Sequence, residues 1–229
     1  MWDGPLDRGR DMDYTSGMDD DAYARLDLLA RRLPGPAERT EATRLVGLVR
    51  QADEDARRAG GGTGPDGPPS AAREELAAVL AEPGRPLWAR RLVSYALARL
   101  GDRRAFETLV FLLNYRDPAC GAVAAEALVR LGDPRTARAA AALAANGLRS
   151  AYALHPVRLL AELDAPESVP ALIDTLRRLL AGPDHHWPVA LACTEGLGRL
   201  GDPRAREVLL EAREHTRLRN AAGAALRGL

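Results

Sequence analysis

Four stretches of the chain end alike, and this recurrence limits the possible folds more than any other feature. They are Ala96-Leu97-Ala98-Arg99-Leu100-Gly101-Asp102, Ala127-Leu128-Val129-Arg130-Leu131-Gly132-Asp133, Leu159-Leu160-Ala161-Glu162-Leu163-Asp164 and Gly196-Leu197-Gly198-Arg199-Leu200-Gly201-Asp202. The final leucines follow one another at 31, 32 and 37 residues. A second apolar column lies nine residues after each of them, at Leu109, Ala140, Leu172 and Leu209. Two columns in register over four copies define a repeat whose unit is a stacked supersecondary element.

The junctions show what that element is. In Leu131-Gly132-Asp133-Pro134 the glycine takes the left-handed conformation that ends a helix, and the aspartate caps the next one. The proline suits a first helical turn, where its missing N–H costs nothing. Leu200-Gly201-Asp202-Pro203 repeats the device, and Leu100-Gly101-Asp102-Arg103 lacks only the proline. Each unit therefore reads as two helices, and so short a connection makes them antiparallel. First helices are expected at about 71–82, 102–115, 133–145, 166–181 and 203–214, and second helices at about 86–100, 118–131, 148–163, 187–200 and 216–227. Composition agrees: 43 alanines and 36 leucines favour helix, against 21 residues of Val, Ile and Thr together.

Upstream, residues 19–58 read as a helical hairpin. Tyr23, Leu26, Leu29 and Leu33 lie at helical spacing in its first arm, Leu45, Val46, Leu48 and Val49 in its second, with a break at Pro34-Gly35-Pro36. The hairpin either caps the first repeat or stands as an independent arm. The cap is preferred, because two amphipathic helices cannot bury their apolar faces alone. Residues 59–70, with five Gly and three Pro, read as a flexible linker, and residues 1–18 as an acidic flexible tail.

The Ala-Leu-x-Arg-Leu-Gly-Asp run at 96–102 and 127–133, and at 196–202 with Gly196 for the alanine, resembles the HEAT repeats, in the short form named after phycobilisome lyases. The resemblance covers about 71–229, some two thirds of the chain. It implies an all-α fold, a right-handed α-solenoid of antiparallel helix pairs whose second helices line the concave side. It implies little about function, since such repeats serve as binding scaffolds, assembly factors, lyase subunits and a few enzymes. The third repeat departs from the pattern at Asp164-Ala165-Pro166, and the fourth carries an insertion at Ala181–Trp187.

Charge and composition narrow the function. All 32 basic residues are arginine, which excludes any chemistry that needs a lysine. The formal net charge of zero divides into −5 over residues 1–30, −1 over 31–84 and +6 over 85–229. A basic body suits an acidic partner, and the Asp-rich head is a candidate competitor for the same surface. No apolar run approaches the ~20 residues of a membrane span, and the start lacks the pattern of a signal peptide. The expected location is the cytoplasm.

The chemical-looking residues disperse when placed on the repeat. Cys120 and Cys193 fall two repeats apart, roughly 16–20 Å at ordinary helix spacing, beyond the reach of a disulfide. Asp184-His185-His186-Trp187 does not close a metal site alone, and His155 and His215 add no ligand spacing. The chain has no His-Glu dipeptide of the kind that binds iron in HEAT-repeat hydroxylases. Glu126 and Glu195 share a column with Tyr95 and Arg158 but stand too far apart for a hydrolytic pair. That column reads equally as an inter-repeat polar ladder or as a binding surface.

No catalytic residue, metal site or cofactor is expected. The expected binding face comprises Trp88, Arg90, Arg91, Tyr95, Glu126, Arg130, Tyr152, Arg158, Glu195 and Arg199 on the second helices. Arginine and amphipathic aromatics are the residue types enriched at interface hot spots, and arginine grips carboxylates and phosphates in a fork. The first expectation is a non-catalytic scaffold or adaptor holding an acidic peptide or protein surface in a basic groove. Nucleic-acid binding is the alternative. Its extension to a HEAT-like DNA glycosylase is weak, because no aspartate lies inside an expected second helix. A lyase or assembly subunit ranks last. Self-association through Leu218, Ala221, Ala222, Ala225 and Leu226 of the last helix is a further expectation.

Overall fold

The computed structural model describes residues 24, 26–28, 31, 33–58 and 70–229. The expected tail at 1–18, nearly all of the linker, Tyr23 and Leu29 lie outside the described residues. Every regular element described is helical. Helix α1 spans Pro36–Arg58. Five helix pairs follow: α2 (Ala71–Ala81) with α3 (Leu87–Arg99), α4 (Phe106–Leu113) with α5 (Pro118–Leu131), α6 (Thr136–Ala145) with α7 (Leu154–Leu163), α8 (Ser168–Ala181) with α9 (Trp187–Leu200), and α10 (Arg206–Glu214) with α11 (Arg219–Arg227).

The pairs stack in an array. Each first helix packs on its own second helix, and the second helices α3, α5, α7, α9 and α11 each contact the next in a row. From α4 to α10 the first helices form a parallel row of contacts. One continuous apolar core runs through the stack, and the column Leu109, Ala140, Leu172 and Leu209 lies inside it, each at most 1% exposed.

The junctions explain the stacking. Gly101, Gly132 and Gly201 hold φ of 69°, 60° and 65°, the left-handed region that lets a helix end and the chain reverse. The carboxylates of Asp102, Asp133 and Asp202 then accept the N–H of Arg104, Arg135 and Arg204 at 3.0, 2.9 and 2.8 Å. The same three arginines fold their guanidinium groups back onto the same carboxylates, with Nη2 at 2.7, 2.9 and 2.6 Å. Two of them also reach one repeat back, Arg104 to Glu74 at 2.8 and 2.9 Å and Arg135 to Glu107 at 3.3 Å. Arg177 of α8 joins Glu207 of α10 at 2.6 Å across the last boundary. A guanidinium fork can serve two carboxylates at once, which a single ammonium does less well.

The third junction is built differently. Asp164 itself takes the left-handed conformation, at φ 46°. The Ser168 hydroxyl donates to the Leu160 carbonyl at 2.6 Å and accepts the Ala165 N–H at 3.1 Å. The second helix of this pair starts later than its spacing suggests. Gly147–Tyr152 is a 3-10 stretch, capped by the Asn146 side chain on the Leu148 N–H at 3.1 Å. A helix begun at 148 would hold Pro156 in its interior, against the Tyr152 carbonyl. Starting α7 at Leu154 puts Pro156 in the first turn instead.

Glycine sets the spacing where the second helices come closest. A Cβ at Gly196 would lie 2.8 Å from the Ala161 Cβ of α7, and one at Gly198 would lie 2.7 Å from the Ala225 Cβ of α11. The last pair is covered from within: Leu218, Ala222 and Ala225 are buried inside the chain, and Ala221 and Leu226 are half-buried. Little of the expected apolar end face therefore remains open. At the other end α1 lays Ala42, Leu45, Val46, Val49 and Ala52 on α2 and α3. Its Asp53 pairs with Arg99 of α3 at 2.8 Å, the two side chains being 3% and 5% exposed.

Two measurements test these contacts. Burial alone would raise the Asp102 carboxyl, but hydrogen bonds from Arg104 and Arg73 outweigh it and hold the pKa at about 2. Its contribution to stability is then complete above the ordinary aspartate value near 4 and is lost as pH falls through 2. Asp102→Asn is expected to cost about 2 kcal/mol near neutrality. The difference from the unsubstituted protein in urea titrations should shrink between pH 4 and pH 2; a pH-independent difference contradicts this. Arg99→Ala should cost about 3–5 kcal/mol, because it leaves the buried Asp53 without that guanidinium. Amide exchange should accelerate first in α1; protection there equal to that of the parent chain would show that the pair does not hold α1 in place.

Candidate functional site

The exposed side of the second-helix row has a regular charge pattern. Helix α5 carries Glu126 and Arg130, α7 carries Arg158 and Glu162, and α9 carries Glu195 and Arg199, each pair four residues apart and so on one helix face. In α5 the two side chains join, Arg130 Nη2 to Glu126 Oε1 at 3.2 Å. In α7 and α9 they do not. Instead Arg158, Glu162, Glu195 and Arg199 line one open hollow of about 270 Å³, floored by Ala161, Ala192 and Gly196. The small floor residues are those that allow α7 and α9 to approach, so the same packing sets both helix spacing and hollow. Among the described residues, neither Arg158 nor Arg199 has an ion-pair partner.

Three of the ten expected residues, Arg158, Glu195 and Arg199, thus meet in one place, and Glu126 and Arg130 lie on the neighbouring helix. The other five do not join them. Tyr95 is corrected outright: it is 3% exposed, its hydroxyl buried without a partner. Tyr95 stands one helical turn before Arg99, which pairs with Asp53 of α1, and belongs to the continuous core. Trp88 is half-buried against the core. Arg90 is half-buried and donates to the Leu80 carbonyl at 3.4 Å, while Arg91 donates to the Cys120 sulfur at 3.1 Å. Tyr152 is exposed, but on the 3-10 stretch, its ring 4.9 Å from the Arg149 guanidinium.

Behind the hollow, His155 of α7 presses on α5 so closely that a Cβ at Gly121 would lie 2.6 Å from its ring. Burial, and then the charge of Arg158, hold this imidazole below its ordinary range. It is therefore a neutral packing group near neutrality.

Sequence spacing alone did not reveal a second assembly. The rings of His185 and Trp187 lie 4.4 Å apart, His185 and His215 5.4 Å, and Trp187 and His215 5.7 Å, with the Arg217 guanidinium 5.6 Å from the indole. The available signal was register: Trp187 opens one second helix and His215 directly precedes the turn into the next. The cluster ties the insertion of the fourth repeat to the fifth. His186 holds a left-handed φ of 38°, with its N–H on Asp184 Oδ1 at 3.1 Å. Among the described residues no group of three or more His, Cys, Asp or Glu side chains is placed to hold a metal ion. None of the described helices is long and apolar enough to cross a membrane.

Both cysteines are free and buried. Burial raises the Cys120 thiol and pushes Cys193 up to about 12.

Residues 189–215 match the family described as PBS lyase HEAT-like repeat. This stretch runs from the first turn of α9 through the Gly201-Asp202 junction to the residue after α10. No curated protein matches the chain.

The thiol environment gives a direct check. In the folded protein near pH 8 neither cysteine should react with Ellman's reagent over the minutes in which the denatured chain releases two equivalents. Fast release of one equivalent without unfolding would place a thiol at the surface, against its burial here.

Proposed function

We propose that this chain is a cytoplasmic, non-catalytic interaction scaffold of HEAT-like antiparallel helix pairs wound right-handed, and that the hollow between α7 and α9 holds an acidic segment of a protein partner. The observation that carries this reading is the unequal use of arginine at the junctions and in the hollow. On the first-helix side Arg104, Arg135 and Arg204 each close on a carboxylate of the chain itself. On the second-helix side Arg158 and Arg199 line an open hollow without an ion pair to any described residue. Two guanidinium groups held by packed helices, neither closed on a described carboxylate, leave their forks open to a ligand that brings carboxylates.

Glu162 and Glu195 in the same hollow refine the partner. They repel a continuous phosphate backbone, so nucleic acid is the weaker reading. A peptide suits the mixture, because it alternates carboxylates with N–H donors. The scaffold role draws further support from the similarity of residues 189–215 to a PBS lyase HEAT-like repeat and from the stacked array. Stacked repeats create extended surfaces for binding.

The test is fluorescence anisotropy with a labelled Asp/Glu-rich peptide and, separately, a labelled DNA duplex. The peptide should bind, more weakly as salt rises. The double variant Arg158→Glu/Arg199→Glu should lose about thirty-fold in affinity, with the helical circular dichroism unchanged. Arg206→Glu, exposed on α10 away from the hollow, should lose little. Equal binding by the double variant overturns the site. Binding of the duplex alone, with a steep salt dependence, would replace the peptide reading by a nucleic-acid one.

A further inference from the structure

A larger hollow lies on the other row, where the C-terminal ends of α4 and α6 diverge. It measures about 750 Å³, within the range of ligand sites, and Val110, Phe111, Tyr115, Leu143, Arg116 and Arg149 form most of its wall. A smaller hollow of about 240 Å³, lined by Leu87, Arg90 and Thr108, adjoins it and shares Phe111 and Glu107. Phe111 therefore stands as a ridge between two depressions of one groove.

The corresponding boundary one repeat later is spanned differently. Arg178 lies six residues after Leu172 of the buried column, and Asn146 lies six residues after Ala140. At the α6–α8 boundary Arg178 reaches back to the Ala144 carbonyl and the Ser150 hydroxyl, both at 2.7 Å, and fills the space between the helix ends. Asn146, in the same register one repeat earlier, caps its own backbone at Leu148 instead. The α4–α6 boundary is left open.

What lines it is unlike the rest of the surface. Phe111 is 58% exposed, with the Tyr115 ring 5.6 Å away, and Leu148, beside Arg149 on the rim, is 98% exposed. These are two of the five large apolar residues exposed in the described chain, and Tyr152, stacked on Arg149, is a third. The charge is one-sided. Among the described residues Arg116 has no ion pair, and Arg149 donates to the Asn114 carbonyl at 2.9 Å without meeting a carboxylate. The one acid in the wall, Glu107, is already taken by Arg135 at 3.3 Å. An apolar ridge beside two unanswered guanidinium groups has the chemistry of a peptide-docking site.

We infer that this groove is a second interaction surface, and that its occupant is a short segment of a partner protein in which large apolar side chains alternate with carboxylates. The apolar side chains seat on either side of Phe111, against Leu87 at one end and Leu143 at the other. The carboxylates meet Arg116 and Arg149. The site shares no residue with the α7–α9 hollow, so it stands whether or not that hollow binds anything.

The experiment uses the full chain carrying Arg158→Glu/Arg199→Glu, which closes the α7–α9 hollow to acidic peptides, and a short fluorescein-labelled peptide alternating Glu with Leu and Phe. Two control peptides carry Lys for Glu, or Ser for Leu and Phe. The Glu/Leu/Phe peptide should bind and both controls should bind far more weakly. On that background Phe111→Asp and Arg116→Glu, both at exposed positions, should each lose about thirty-fold in affinity with unchanged melting curves. The proposal is overturned if the Ser control binds as tightly as the Glu/Leu/Phe peptide, or if Phe111→Asp binds like the parent. It is also overturned if sedimentation shows a dimer abolished by Phe111→Asp, which would give the groove to a second copy of this chain.

Discussion

The closing of an arginine on the aspartate two residues before it is the contact on which the array depends. A helix pair cannot bury its own apolar face, so the fold exists only if successive pairs meet at a fixed offset. The Asp–Arg closure fixes that offset from within the turn. The aspartate takes the N–H and the guanidinium of one residue, and the free edge of that guanidinium is then aimed one repeat back. The strength of the contact varies with burial. Asp102 is 4% exposed and is gripped by Arg73 as well as Arg104. Asp202 and Arg204 face water, where an ion pair is worth little and the backbone cap matters more.

Much of this architecture can be read from the sequence, because repeated junctions report themselves. Gly-Asp marks the ends of three pairs, and apart from the late start of α7 the helices begin and end near their expected positions, with the first turn tightened to 3-10 after Asp102 and Asp202. The family match covers only residues 189–215, so the broader HEAT reading rests on the repeat pattern and the stacking. What stayed hidden depends on neighbours rather than on period. The column of Tyr95, Glu126, Arg158 and Glu195 looks uniform in sequence, yet its first member is buried while the others reach the surface. His215 has no local partner in the sequence and gains two only when the last pair stacks. The α4–α6 groove left no periodic trace, since Asn146 and Arg178 share a register but make different contacts.

One residue type serves two ends in this chain. At the junctions arginine is structural, and its charge is consumed by Asp102, Asp133, Asp202, Glu74 and Glu107. Arg177 closes on Glu207, Arg130 on Glu126 and Arg99 on Asp53 in the same way. At Arg158, Arg199 and Arg116 no described carboxylate closes on the guanidinium. With no lysine present, every basic side chain has the planar fork that reads carboxylate geometry, so the two kinds of position are chemically interchangeable. What separates them is whether the fork has closed on an acid.

Because each Asp–Arg closure lies within three consecutive residues, a copied segment of DNA encoding one helix pair would carry its own hinge with it. Only one outward ion pair, of the Arg104–Glu74 or Arg135–Glu107 kind, has to be re-formed at a new boundary. Gene duplication can thus lengthen the stack by whole units at the first and second junctions. At the third, where Asp164 and Ser168 have replaced that closure, a spliced copy would not find a matching edge. A junction that carries the Asp–Arg closure is thus a self-contained splice point, and the third is not.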